Sequence, residues 1–195
     1  TTQGVSLGQP YRKMGQQGAP VCDVIFDDVR VPAESLVGGK ENVGFITAMK
    51  VLDKGRLHIS AISVGVAERL IEDATRYAIE RKQFNQPIAD FQLVQAMLAD
   101  SQTEMYAAAC MVAETARRRD SGESVAAVAA SCKLFATEMV GRVADRAVQI
   151  FGGAGYIEDY GIERFYRDVR LFRIYEGTSQ IQQTVIAKDL IKRFQ

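Results

Sequence analysis

Residues 172–182 read Phe-Arg-Ile-Tyr-Glu-Gly-Thr-Ser-Gln-Ile-Gln and set one carboxylate, Glu176, between apolar residues and the start of a helix. Burial between Ile174, Tyr175 and neighbouring helices would raise its pKa by desolvation. That brings a carboxylate closer to the pH at which it can both take and hold a proton, as a general base must. Gly177 would let a ligand approach the backbone, and the free N–H groups opening the next helix could bind an acceptor oxygen. The same residues also suit a surface glutamate favoured near a helix N-terminus by the macrodipole.

Other routes to catalysis are narrow. His58 is the single histidine, so Ser-His-Asp or Cys-His catalysis would have to pass through it, and a multi-histidine metal site is excluded. On its helix it is expected to be a partly buried packing residue. Cys22, Cys110 and Cys132 have neither metal-type nor CxxC spacing, and their odd number argues for reduced thiols rather than a disulfide framework. No metal site is expected. Asp53 and Arg56 stand three apart on one helix, the spacing of a modest surface ion pair. Arg81, Lys82, Gln83 and Phe84 close that helix, where cations complement the dipole without any ligand. The glycines of Gly152-Gly153-Ala154-Gly155 follow a helix and miss the G-x-G-x-x-G spacing, so they are not a dinucleotide loop. They suit a helix stop with glycines in left-handed conformation, and bare backbone there could also lie against a flat ligand.

The elements that position these residues follow from periodicity. The chain has 195 residues, with 24 Lys+Arg against 24 Asp+Glu. This neutral balance lacks the basic footprint of nucleic-acid binders. No run of about 18 apolar residues is free of a charge or a strong polar interruption, so no membrane span is expected. The first forty residues are punctuated by Gly and Pro. Val24/Phe26 and Val29/Val31 alternate there with charged residues, a strand-and-turn texture. A hairpin of this size needs a covering layer, as at the end of a larger β-domain. Helical spacing then carries Phe45, Met49, Leu52, Arg56, Ile59, Ile62, Val66, Leu70 and Tyr77 to about Glu80, with an irregularity expected near Gly55. A second helix follows Asp90 and ends near Ser121-Gly122. An Ala-rich third is expected over 124–151, and a short one over 159–169. A last helix opens on the S-x-x-Q capping box of Ser179 and Gln182, with Ile181, Val185, Ile186, Leu190 and Phe194 on its apolar face. The reading is mainly α: an antiparallel four-helix bundle over 39–195, preceded by a short β-strand segment over 1–38.

Three segments in this order and spacing closely resemble the C-terminal domain of the acyl-CoA dehydrogenases. They are Arg81-Lys82-Gln83-Phe84, then Gln149-Ile150-Phe151-Gly152-Gly153-Ala154-Gly155-Tyr156, then Ile174-Tyr175-Glu176-Gly177-Thr178-Ser179-Gln180-Ile181-Gln182. Lys13-Met14-Gly15, residues 24–32 (VIFDDVRVP) and Gly44-Phe45 resemble the end of that family's middle β-domain and the entry to its first C-terminal helix.

The resemblance implies that Glu176 is the base removing the α-proton of a fatty acyl-CoA thioester while the β-hydrogen leaves as hydride to FAD. The thioester oxygen would be held by the backbone N–H of Glu176 and a flavin hydroxyl. Asp53, Lys54, Gly55, Arg56, Tyr175 and Gly177 would line the acyl-CoA site. A glycine at 55 points to the short-, medium- or branched-short-chain branches, because the isovaleryl and long-chain branches carry their base near that position. Thr178, Ser179 and Gln180 would lie near the flavin of their own subunit. Arg81, Phe84, Gln92, Gln149, Ile150, Phe151, Gly152 and Gly153 would reach a neighbour's FAD, Arg81 giving charge to the pyrophosphate. The implied partners are further copies in a homodimer or homotetramer and an electron-transferring flavoprotein. The implied location is the cytoplasm of a bacterium or the mitochondrial matrix. The family's usual subunit is about twice this length, so the chain alone is expected to lack much of the flavin site. Two alternatives stand beside this reading: a non-catalytic helical interaction module, and an acyl-CoA oxidase relative using the same base and flavin.

Overall fold

Helix α1 runs Gly44–Glu80, α2 Gln92–Asp120, α3 Ala126–Phe151, α4 Ile162–Val169 and α5 Ser179–Lys192. These come from a computed structural model, which describes residues 2–195 without the side chain of residue 53. The chain divides into two compact units, Thr1–Val51 and Leu52–Gln195.

In the first unit, strands β1 (Val5–Leu7) and β2 (Val24–Phe26) pair antiparallel, with Val5 opposite Phe26 and Leu7 opposite Val24. The Tyr11 hydroxyl donates to Asp23 Oδ2 at 2.8 Å beside them. The alternating residues Val29 and Val31 do not extend β2, because Asp28 takes a positive φ of 42° and turns the chain. Leu7, Val24, Ile25 and Phe26 are all half or more exposed, so the hairpin buries neither face. Two strands cannot do so without a covering layer.

In the second unit α3 is the axis. Buried residues occur all around it, from Ala129 and Ala130 through Met139, Val140 and Val143 to Ile150 and Phe151, and α2, α4 and α5 pack on it. Its alanines let neighbouring backbones come close. From α1 come Ala67, Leu70, Ala74 and Ala78, spaced three and four apart as one helical face requires. From α2 the buried residues are Ser101, Ala108 and Thr115, each seven apart. Glu104 of α2 accepts from Arg142 at 2.9 Å and Arg146 at 3.0 Å, tying α2 to α3. Burial pushes the Glu104 carboxyl up, but the bonds from the two guanidinium groups outweigh it and hold it below the usual range.

Several expectations are corrected here. Helix α1 passes Gly55 without interruption, and Ile62, assigned to its apolar stripe, is half-exposed. The inward face instead carries Ser60 and Ser63, whose hydroxyls donate to the carbonyls four residues back at 2.7 and 2.8 Å. This satisfies a buried hydroxyl at no cost to the helix ladder. The second helix does follow Asp90, which ends a 3-10 turn, and Phe91 stands at the cap. On α5 the buried residues are Ser179 and Gln182, whereas Ile181, Leu190 and Phe194 are about half exposed or more.

The junctions are short. Between α1 and α2, strands β3 (Lys82–Gln83) and β4 (Gln86–Pro87) form a tight hairpin with positive φ at both Phe84 and Asn85, as a two-residue type I′ loop demands. Between α2 and α3 the chain turns at Gly122, φ +85°. Cys132 of α3 meets Thr115 of α2 at 3.0 Å, and burial pushes its thiol pKa up; the three cysteines are free. Among the described residues no helix is long and apolar enough to cross a membrane.

Candidate functional site

The loop from α4 to α5 is fixed from both ends. A 3-10 turn at Arg170–Arg173 buries Phe172, whose ring stacks on Tyr175 at 5.8 Å and 6°. The next two residues, Glu176 and Gly177, both take positive φ, 55° and 85°. A non-glycine residue held there costs about 1–3 kcal/mol and persists only where its surroundings over-determine it. Gln182 is the restraint: fully buried on α5, its Nε2 donates to the Glu176 carbonyl at 3.1 Å and the Gly177 carbonyl at 2.9 Å. A Cβ at residue 177 would meet that nitrogen at 2.7 Å, so the clamp itself requires glycine there. The expected capping box does not form. Thr178, in extended backbone, is the cap, and its Oγ1 accepts from the Ile181 N–H at 3.3 Å; Ser179 is the first helical residue, and Gln182 is spent on the loop.

This geometry delivers the Glu176 carboxylate to α1. A Cβ built on Gly55 would lie 2.0 Å from Glu176 Oε2 and 2.6 Å from its Cδ, so the carboxylate fills the room that a side chain at 55 would need. Ile174 is half-exposed and Glu176 half-buried, so the expected enclosure by Ile174 is replaced by one-sided packing on the helix. No carbonyl or side chain among the described residues accepts the Glu176 N–H.

Charged groups gather behind the loop. Arg56, next to Gly55, is buried rather than on the surface, and the side chain of Asp53, its expected partner, lies outside the described residues. Glu138 of α3 accepts from Ser179 Oγ at 2.7 Å and from Arg173 Nη1 at 3.2 Å. Lys133, also on α3, is fully buried. Burial drives its pKa down to about 8, while Glu138 and Glu176 favour its charged form and Arg56 opposes it.

A second set of residues lines a cavity of about 490 Å³ where α1 and α3 end. It brings together Arg81, Ile150, Phe151, Gly152 and Gly153 and adds Tyr77 and Tyr160. Tyr77 stacks on Phe151 at 4.1 Å and 13°, and Tyr160 meets both rings edge-on. Gly152, φ +59°, ends α3, and a Cβ at 152 or 153 would touch nothing within 4 Å, so bare backbone faces open space. Of the helix-stop glycines only Gly152 has positive φ; Gly155 is small for another reason, since a Cβ there would meet the Val148 carbonyl at 2.6 Å.

Other residues singled out in the sequence lie apart. Gln149 does not line the cavity, Gln92 is exposed at the start of α2, and Phe84 is exposed with its ring edge-on to Phe91 at 6.2 Å. Lys54 and Gln180 are exposed, and His58 is exposed rather than packed. The side chain of Asp53 lies outside the described residues. Lys133 and Tyr160 went unnoticed in the sequence, while Tyr77 was read only as a stripe residue and Gln182 only as part of a capping box. A lysine inside the apolar run of a helix buried on all sides was the available signal for Lys133.

The sequence pattern of the acyl-CoA dehydrogenase C-terminal domain matches residues 42–191. A 3-(aryl)acrylate reductase of Clostridium sporogenes is 47% identical over 97% of the chain and 50% of its own length. A subunit of the caffeyl-CoA reductase-Etf complex of Acetobacterium woodii is 45% identical over 98% of the chain and 50% of its length. The solved butyryl-CoA dehydrogenase of Megasphaera elsdenii superposes with a TM-score of 0.94 at 38% identity, covering 97% of the chain and 49% of that protein. The chain thus spans about half the length of the relatives it matches.

Proposed function

The chain belongs to the acyl-CoA dehydrogenase family, and from that premise we propose that it serves as the C-terminal half of a flavin-dependent oxidoreductase acting on the α,β bond of an acyl-CoA thioester. In this reading 1–38 complete a middle β-domain and 39–195 form the helical domain. The observation that carries the proposal is the Glu176 carboxylate packed into the space left by Gly55.

Glu176 takes the α-proton. Its strained, clamped backbone sets the carboxylate in one place, and its unclaimed N–H can donate to the thioester oxygen as negative charge develops there. Gly177 keeps the backbone bare where the thioester would lie, and Lys54, Arg56, Tyr175 and the residue at 53 border the same helix and loop. The Arg81 cavity suits part of FAD, offering one guanidinium for a pyrophosphate, stacked aromatic rings and uncovered glycine backbone. In this reading Phe84, Gln92 and Gln149, which do not line the cavity, would also reach the flavin, and Thr178, Ser179 and Gln180 stand at the start of α5. When bound, FAD supplies the acceptor that takes the β-hydrogen as hydride. The proposed partners are an acyl-CoA, further copies in a dimer or tetramer and an electron-transferring flavoprotein. The proposed setting is a bacterial cytoplasm or a mitochondrial matrix.

In the full-length protein with FAD, acyl-CoA and a dye acceptor, Glu176→Gln should abolish turnover while flavin stays bound; retained turnover removes Glu176 as the base. Two of the relatives are named reductases, which favours a second reading in which the same site runs toward saturation. The rate of enoyl-CoA reduction by a reduced dye, set against the rate of acyl-CoA oxidation, separates the two.

A further inference from the structure

The loop that carries Glu176 is tied to α3 through one carboxylate. Glu138 Oε1 accepts from Ser179 Oγ at 2.7 Å, and Glu138 Oε2 accepts from Arg173 Nη1 at 3.2 Å. Arg173 stands three residues before Glu176 and Ser179 three after it, so the base is the midpoint of a segment whose two ends meet on a single side chain. The Arg173 guanidinium also lies along α3: a Cβ on Gly141, about one turn past Glu138, would sit at ordinary contact, 3.4 Å, from its Nη2.

Stability gives little reason for this arrangement. The Glu138 and Arg173 side chains are 33% and 34% exposed, and an ion pair so open to water adds little to folding. What it supplies is position. Gln182 holds the Glu176 and Gly177 carbonyls, but it belongs to α5, so it fixes the loop relative to that helix. Glu138 belongs to α3, and it holds both the first residue of α5 and the last residue of the 3-10 turn before the loop. The two restraints act in series. Gln182 shapes the loop, and Glu138 sets the shaped loop against the bundle, where its carboxylate meets Gly55.

We propose that Glu138 is a positioning residue for Glu176: the two oxygens of its carboxylate pin both ends of the 173–179 segment to α3 and so hold the base over Gly55. The inference rests on Glu176 being the base. Glu138 acts through Arg173, Ser179 and the backbone between them, not on the substrate.

The test uses the full-length flavin-loaded enzyme and the rate of α-deuterium wash-out from a labelled acyl-CoA without acceptor, a step that needs the base but no net oxidation. Glu138→Ala frees both ends. It should lower the saturated rate by about 10- to 100-fold, since a misplacement of about 1 Å costs a reacting group that much, while the half-saturating acyl-CoA concentration stays within about twofold. Glu138→Gln keeps the reach: its amide oxygen can accept from Arg173 and its Nε2 can donate to Ser179 Oγ, so it should recover most of the native rate. Arg173→Met, which frees one end, should lose part of the rate, and combined with Glu138→Ala it should cost no more than about a further twofold. A native rate in folded Glu138→Ala overturns the proposal, as does Glu138→Gln as slow as Glu138→Ala, or losses that multiply in the double variant. If Glu138→Ala does not fold, Arg173→Met decides by itself: a lowered rate at unchanged half-saturation supports the tie, and a native rate overturns it. Failure of the base reading is separate, because it appears as wash-out persisting in Glu176→Gln.

Discussion

Gly55→Ala separates stability from catalysis at this site. The substituted residue lies inside the long helix α1, where alanine is favoured over glycine by about 0.8–1 kcal/mol. Its new methyl group would fall 2.0 Å from Glu176 Oε2, and ordinary contact begins at 3.4 Å, so the carboxylate must retreat by about 1.4 Å. What yields is the end of a flexible side chain and not backbone, so the retreat is cheap and the helix keeps most of its gain. Catalysis does not tolerate it: a misplacement of about 1 Å of a reacting group can cost on the order of 100-fold, or about 2.7 kcal/mol in activation free energy. Dye-linked turnover at saturating acyl-CoA should therefore fall about 100-fold in the full-length enzyme, while the thermal midpoint holds or rises. Native turnover in Gly55→Ala, or a midpoint lowered by several degrees, would refute the packing argument.

Three further outcomes follow from the same coordinates. Lys133, pushed from 10.5 to about 8, binds fewer protons folded than unfolded between those values. Native stability should therefore rise with pH from about 8 to 10.5, and Lys133→Met should lose that slope while gaining up to about 3 kcal/mol at pH 7, measured by denaturant unfolding. Gln182→Leu leaves the Glu176 and Gly177 carbonyls without their donor and should cost about 1–3 kcal/mol together with a fall in kcat; an unchanged kcat would mean that the clamp does not hold the base. Arg81 is exposed and carries no packing, so Arg81→Gln should leave the fold intact and lower the flavin-to-protein ratio after dialysis; full retention of flavin would remove Arg81 from the cofactor site.

The long helices were readable because their apolar spacing runs unbroken over many turns, and α1, α2 and α3 lie within two residues of the expected ends. Their inward faces were harder to read. In α1 small residues, Ser60, Ser63, Ala67, Ala74 and Ala78, share the buried face with Leu57, Ile59 and Leu70, and a search for large apolar side chains alone picks Ile62 on the wrong side. The start of α5 misled for a related reason. Ser179 and Gln182 have capping-box spacing, but tertiary partners claim both, Glu138 for the serine and the 176–177 carbonyls for the glutamine.

At the candidate site, Glu176 and Gly177 were legible as local chemistry, and Gly55 only through the family likeness. No one-dimensional rule places a glycine 121 positions upstream beneath a carboxylate. Lys133 was hidden because the charges that act on it, Arg56, Glu138 and Glu176, come from three separate elements.

The most direct measurement is the rate of α-deuterium wash-out from a labelled acyl-CoA by the full-length flavin-loaded enzyme, native against Glu176→Gln. If Glu176 is the base, exchange in the variant falls by at least about 100-fold, the lower range of general-base contributions, with flavin content unchanged. Exchange at the native rate would contradict the account.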